Sequence, residues 1–283
     1  MNGERIGVGL NFRREIEDDI VAHLERLDLI EVITDALFVR DDVGEALRHV
    51  LRTKPIVLHG LRASLGAAEP LDADYLRATL EMVERWQPLW FSDHLAYSRI
   101  GGLDIDQLMP VRRTRDNLRR IVAKVRALRS AAPVPFLIEN ITCYFDHEGE
   151  ELAEPAFINA VLREADCGLL LDVNNLYINS RNHGFDARAY VDDLDLARVV
   201  EIHMAGGYCR DDLLIDSHGH RIGRPVWELL EHVCERARPR AIIIERDANF
   251  DIGDVLESVA RAREILAASD RRVGAAALAG ART

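Results

Sequence analysis

The chain has 283 residues, 48% of them apolar, and 48 acidic against 36 basic side chains give a formal net charge of −12. So much apolar content excludes a disordered chain or a disulfide-stapled miniprotein, and the acidic balance disfavours general nucleic-acid binding and docking on an anionic membrane. Cys143, Cys167, Cys209 and Cys234 form no C-x-x-C pair, no secretory segment opens the chain and no apolar run approaches ~20 residues, so a reducing, cytoplasmic setting is expected.

Eight short runs rich in Ile, Val and Leu recur along the chain, at residues 6–12, 27–33, 55–61, 88–95, 135–140, 167–175, 199–206 and 241–247. Their near-continuous apolar content suits strands covered on both faces, as in a parallel sheet. Amphipathic segments lie between them, at 14–26, 43–52, 72–86, 112–130, 155–165, 226–236 and 254–267, with Asp72 and Pro225 placed as helix starts. Eight crossover units of this kind describe a closed (β/α)8 barrel, the TIM-barrel fold. An open doubly wound sheet is the competitor, but GVGLNF after the first run is not its G-x-G-x-x-G loop. No low-complexity linker divides the chain. The expected organisation is one catalytic barrel over residues 1–268 and a flexible tail over 269–283.

The chemistry is concentrated at the ends of the runs. His59 closes the third, His94 the fourth, Glu139 the fifth, Asp172 the sixth, His203 the seventh and Glu245 the eighth; Asn175 follows the sixth, and Asp216 and His218 lie after the seventh. In a (β/α)8 barrel all strand C-termini share one face, so these side chains converge. Singly, each has a plainer role: a histidine at a strand end is more often a hydrogen-bonded core residue, and a buried glutamate often pairs with an arginine. Jointly, desolvated carboxylates and imidazoles in such number need a counter-charge, which a cluster of divalent or trivalent cations supplies through N and O ligands. Three or four imidazoles argue against calcium; iron, manganese and zinc stay open.

Other residues have weaker claims. Asn11 and Glu31, on the first two strands, are read as substrate contacts, supporting groups or barrel filling. By strand alternation Asp93 points away from His94 and is structural. Asn140 and Asn174 are supporting donors. Arg246 and Asp247 either orient Glu245 or bind a substrate carboxylate, His220 is an extra imidazole near the site, and His183 shapes a loop over it. His23, His49, His147 and His232 are given no role.

The stretches VLHG, FSDHLAYS, LIEN, GLLLDVNNLYINSRNHGFD, VVEIHMAGG, LLIDSHGH and IIIERD together resemble the multinuclear non-heme iron-dependent oxidases, which include the methanobactin-maturation oxidase and modify ribosomally made peptides. The resemblance spans nearly the whole chain, and LLLDVNN followed by NHGFD is its most specific part. It implies a xylose-isomerase-like barrel. Carried over, His59, His94 and Glu139 hold one iron; Glu139 bridges to a second, completed by Asp172, His203 and Glu245; Asn175, Asp216 and His218 hold a third, more weakly. It implies two or three irons of mixed Fe(II)/Fe(III) state, dioxygen as co-substrate, a precursor peptide modified at a residue such as cysteine, and a small companion protein that binds the peptide leader. Asp35-Ala36 and Gly219 depart from the family pattern, which leaves the modified residue open.

Two alternatives share the scaffold. An endonuclease IV-like trinuclear zinc phosphodiesterase would have to grip DNA with this net charge, and Asn175 stands where that enzyme has histidine. A sugar isomerase would ordinarily place a catalytic lysine near the metals, and neither Lys54 nor Lys124 ends a strand. A barrel that only binds a peptide leaves the converging ligands unexplained.

Overall fold

The computed structural model describes residues 4–35 and 44–280, with side chains to residue 272. The barrel strands are β1 (Gly7–Asn11), β2 (Ile30–Ile33), β3 (Ile56–Gly60), β4 (Phe91–His94), β5 (Phe136–Glu139), β6 (Gly168–Asp172), β7 (Val199–Met204) and β8 (Ala241–Ile244). All neighbours are parallel, and β1 pairs with both β2 and β8, which closes the cylinder. The fold is a closed (β/α)8 barrel, as the alternation of runs requires. Ala36, and residue 43 at the start of the 43–52 segment, lie outside the described residues.

The helices are α1 (Glu17–Ala22), α2 (Glu45–Thr53), α3 (Ala73–Trp86), α4 (Arg115–Ala131), α5 (Glu154–Ala165), α6 (Val173–His183), α7 (Ala187–Asp192), α8 (Arg224–Cys234) and α9 (Ile252–Gly280). Asp72 caps α3, its carboxylate accepting from the backbone N–H of Asp74 and Tyr75, 2.9 Å each. Outward strand residues such as Leu58, Phe91, Ile138, Leu171 and Ile244 join Val83, Ile121, Val161 and Leu230 of the helices in the larger core.

Inside the cylinder a second apolar cluster of Leu29, Val57, Trp90, Leu137, Leu170, Val200, Ala241 and Ile243 forms a floor. The period of two along a strand then sets what lies above it. Two residues beyond Leu29 is Glu31, beyond Val57 is His59, beyond Leu137 is Glu139, beyond Leu170 is Asp172 and beyond Ile243 is Glu245. Apolar residues thus plug the bottom while acids and imidazoles occupy the top.

Three local features depart from the sequence reading. The sixth run was expected to stay extended to residue 175, but the strand stops at Asp172, whose carboxylate accepts the Asn175 N–H at 2.7 Å and starts α6. Two hairpins project from the top face: Ala96–Ile100 pairs with Leu103–Pro110, and Tyr208–Arg210 with Leu213–Ile215. Their half-polar sequences lack the apolar density of barrel strands. Finally, α9 continues past residue 268 into an alanine-rich stretch, a composition that favours helix. Ser269, buried on α9, donates to the Cys234 carbonyl and accepts from Arg238 at 2.8 Å.

Candidate metal centre

His59, His94 and Glu139 end adjacent strands, and the register sets His94 beside Glu139. Both imidazole Nε2 atoms approach Glu139 Oε2, His59 at 3.2 Å and His94 at 3.1 Å. The opposite edges of the rings fix their protons. His94 Nδ1–H donates to the Gly60 carbonyl at 3.1 Å. Ser92 Oγ donates to the Leu58 carbonyl at 3.3 Å, so it accepts from His59 Nδ1–H at 2.8 Å. With Nδ1 committed as the donor, the neutral form of each ring has its lone pair on Nε2, aimed at a carboxylate oxygen.

A second group lies alongside. Asp172 and His203 are register partners on β6 and β7. His203 Nδ1 faces Glu245 Oε2 at 3.1 Å and Glu139 Oε1 at 3.4 Å, so the two oxygens of Glu139 serve the two groups separately. Asp172 gives one oxygen to the α6 cap and keeps the other, Oδ2, unbonded. Asn140 braces this strand end reciprocally, accepting the Asp172 N–H and donating to its carbonyl, 2.9 Å each.

The third predicted group is nearer the surface. His218 Nε2 lies 2.9 Å from Asp216 Oδ1, and Asn174 Nδ2 donates to the same oxygen at 2.9 Å. Thr142 Oγ1 donates to Asn175 Oδ1 at 2.5 Å and reaches Asp216 Oδ2 at 3.4 Å, linking these two residues. The structure also brings His218 within ligand range of Asp172 and Glu245, a grouping the sequence did not indicate. His218 has φ +48, and its carbonyl accepts the Asp247 N–H at 2.9 Å, which holds the left-handed turn.

These groups open into a cavity of about 450 Å3. Seven of the nine predicted ligands line it, and Asp172 and His203 lie beneath. Ile33, Leu61, Leu108 and Ile141 supply apolar wall, Arg13 and Arg62 the cationic groups of the rim.

The electrostatics follow from burial and crowding. Burial drops the His59 pKa to about 3, against the pull of Glu139. Burial alone would raise Glu139, but His94, His59 and His203 outweigh it and bring it down to about 2. His203 is raised because Glu245, Glu31 and Glu139 overcome its burial. Asp172 is raised well above the usual carboxylate range by burial and then by Glu139 and Asp216. Glu139 Oε2, Asp172 Oδ2, His203 Nδ1 and both ring nitrogens of His218 are buried without a hydrogen bond among the described residues. Orphaned N and O atoms facing a common space are the donor set that transition-metal ions take. The residues present fit bound metal.

The supporting residues sort clearly. Asp93, directed away from the cavity, accepts from Tyr75 Oη at 2.7 Å and from the Ala63 N–H at 3.1 Å. Arg246 turns outward to Asp254, whereas Asp247 joins the site, accepting from Asn11 Nδ2 at 3.0 Å and Arg13 Nε at 2.8 Å while standing 3.2 Å from His218 Nδ1. His183 bonds the Cys143 carbonyl at 2.7 Å and so shapes the adjoining loop. His220 stays on the rim, against Ser217 and the Tyr208 ring. Asp35 accepts from the Leu61 N–H at 2.8 Å, and Asn249 donates to the Gly219 carbonyl at 2.9 Å. The sequence left Glu31 undecided; it sits 2.9 Å from His203 Nε2. Its signal was an acid at an inward position of an otherwise apolar strand, in register with Asn11.

Comparison with known proteins places this geometry. The UPF0276 protein of Acaryochloris marina is 34% identical over 255 residues, covering 90% of this chain and 92% of that one. A xylose isomerase-like TIM barrel protein from Mycobacterium smegmatis in complex with magnesium superposes with a TM-score of 0.59 at 12% identity, over 94% of this chain and 97% of the other. Endonuclease IV from Thermus thermophilus superposes with 0.56 at 16% identity, over 94% and 99%. At such identities the two structures speak for the fold alone. The profile described as RiPP precursor modification enzyme MbnB/TglH/ChrH matches residues 7–267, and with the enzyme-type barrel and its buried donor cluster the chain belongs to that family.

Proposed function

We propose that the protein is a multinuclear non-heme iron oxidase that uses dioxygen to modify a residue, cysteine first among the candidates, of a ribosomally made precursor peptide. The observation that carries the reading is Glu139, whose two oxygens face His59, His94 and His203 at 3.1–3.4 Å, the Nδ1 edges of the first two being held by Ser92 and the Gly60 carbonyl. Membership of a family of RiPP precursor modification enzymes supports the peptide substrate.

In this reading His59, His94 and Glu139 hold one ion, and Glu139, Asp172, His203 and Glu245 a second. Asn175, Asp216 and His218 hold a third at the cavity edge. Iron bound there supplies one-electron redox chemistry and a place for dioxygen, with Fe(II) and Fe(III) together in a set of two or three ions. The chain does the rest. A cavity of about 450 Å3 accepts a side chain with its flanking backbone. Ile33, Leu61, Leu108 and Ile141 exclude water from the reacting group. Arg13, held by Asp247, and Arg62, held 3.0 Å from Asp104, present guanidinium groups to peptide carbonyls at the rim. Ser92 and the Gly60 carbonyl fix the two imidazoles that must keep Nε2 bare. The setting is the cytoplasm, and a small companion protein that grips the leader completes the working unit. The acidic rim, with Asp104, Asp106 and Asp216, is unsuited to nucleic acid.

The test is anaerobic purification followed by metal analysis, then incubation with a precursor peptide encoded beside the gene, with and without dioxygen, read by mass spectrometry. More than one iron per chain and an oxygen-dependent mass change are expected, and His203→Ala loses both. Zinc with phosphodiesterase activity, or epimerisation of a sugar, would replace this reading by one of the two that share the scaffold.

A further inference from the structure

The three buried histidines of the centre are not oriented alike. His59 and His94 direct Nδ1 outward to protein acceptors and Nε2 toward Glu139. His203 is reversed: Nδ1 faces Glu139 and Glu245, and Nε2 meets Glu31 Oε2 at 2.9 Å. His203 and Glu31 are both fully buried, at 0% exposure. Glu31, His203 and Glu245 also lie close enough to form a ligand set of their own, so Glu31 has two conceivable roles, a ligand or a partner of the imidazole. The ring decides between them. An imidazole cannot give both nitrogens to one ion, and the remaining ligands, Glu139 and Glu245, stand at Nδ1. Among the described residues the polar partners of both nitrogens are carboxylates, which leaves one arrangement that serves metal binding: a proton on Nε2, donated to Glu31, and a lone pair on Nδ1.

We propose that Glu31 is a positioning residue that fixes His203 in the Nε2–H form, so that His203 binds metal through Nδ1 while His59 and His94 bind through Nε2. The assignment rests on the metal-centre reading above. Glu31 acts from β2, in the layer directly above the floor residue Leu29. Without it, the buried N–H has no acceptor, and the proton moves to Nδ1, where Glu139 and Glu245 accept it. That shift removes the lone pair from the ion.

The test uses the full chain stripped of metal and titrated with Co2+, whose visible absorption reports ligation, with 15N-labelled histidine read by NMR in the Zn2+-loaded protein. In the wild type the His203 ring is expected to show a metallated Nδ1 and a protonated Nε2. Glu31→Ala weakens one Co2+ step about 10–100-fold, the range for loss of such a partner, and leaves the His59/His94/Glu139 step unchanged. Glu31→Gln, whose amide oxygen still accepts from Nε2–H, restores most of that affinity. Circular dichroism of the metal-free variants separates this from loss of folding, and the glutamine variant carries the test if the alanine variant does not fold. Unchanged Co2+ affinity in Glu31→Ala, or metal on Nε2 of His203, overturns the assignment. So does Glu31→Gln losing a whole equivalent of Co2+, which would make Glu31 a ligand. Failure of the wild type to take up Co2+ would instead remove the metal reading itself.

Discussion

Replacing Ser92 by alanine tests whether the centre depends on the protonation pattern of its imidazoles. Ser92 Oγ is the acceptor for His59 Nδ1–H at 2.8 Å and donates its own O–H to the Leu58 carbonyl at 3.3 Å. Ser92 and His59 are buried, so water cannot replace the hydroxyl. An N–H left unsatisfied there costs roughly 1–3 kcal/mol. The ring escapes that cost by moving its proton to Nε2, where Glu139 Oε2 at 3.2 Å accepts it. The escape stabilises the metal-free protein and opposes binding, since the lone pair that would face an ion is gone. Affinity at the His59/His94/Glu139 group should fall about 10–100-fold, roughly 1.4–2.8 kcal/mol. Competition between the protein and a chelator for Fe2+ under anaerobic conditions measures it, with Ser92→Thr, which keeps the hydroxyl, as the control. Equal affinity in wild type and Ser92→Ala would show that the Nε2 lone pair of His59 does not govern binding.

Three further predictions concern the same barrel. Burial holds the His59 pKa down from 6.5 to about 3; the unfolded chain then binds the extra proton between those values, so stability falls as pH drops below 6.5 and levels off near 3. The displacement is worth up to roughly 5 kcal/mol, and urea melts of metal-free protein at pH 7 and pH 4 should show a steeper loss in wild type than in His59→Asn. Trp90 Nε1–H donates to Glu201 Oε2 at 2.7 Å, while Glu201 Oε1 has no partner among the described residues. Trp90→Phe strips this acid of its hydrogen bond and should cost at least about 1–3 kcal/mol by urea denaturation, largely recovered in the double variant with Glu201→Leu. A Cβ on Gly206 would stand 2.1 Å from the His220 carbonyl oxygen and 2.6 Å from that of Arg221. Gly206→Ala should therefore displace the segment carrying Asp216 and His218, and metal analysis should show loss of the third ion while the two deeper ones persist.

What the sequence disclosed and what it hid follow from periodicity. Runs such as GLLLD and AIII announce buried parallel strands, and the polar residue ending each is visible by contrast, so His59, His94, Glu139, Asp172, His203 and Glu245 could be placed on one face before any coordinates. Glu31 was harder because it lies inside its strand, and only pairing with His203 across 172 positions of sequence distinguishes it from barrel filling. The start of α6 was hidden because apolar residues flank Asp172 on both sides, Leu169–Leu171 before it and Val173 after it, a pattern that helix and strand both accept; the capping bond from Asp172 is a matter of distance. The two hairpins were missed because their strands are held from outside. Ser98 and Arg99 donate backbone N–H to Ser64 Oγ at 3.0 and 3.1 Å, a long-range bond that no local pattern encodes. The closeness of His218 to Asp172 and Glu245 likewise depends on how the 216–219 turn folds back.

Asp172 joins two requirements that most residues meet separately. One oxygen sets where a helix begins, and the other faces the buried donor cluster. Asparagine caps a helix about as well as aspartate does, so drift to asparagine at this position would yield a chain with an intact fold and spectrum, soluble and well behaved, yet short of a negative charge where an ion needs it. Among natural relatives and engineered variants, such a change would separate barrels that have kept their chemistry from those that have kept only their shape.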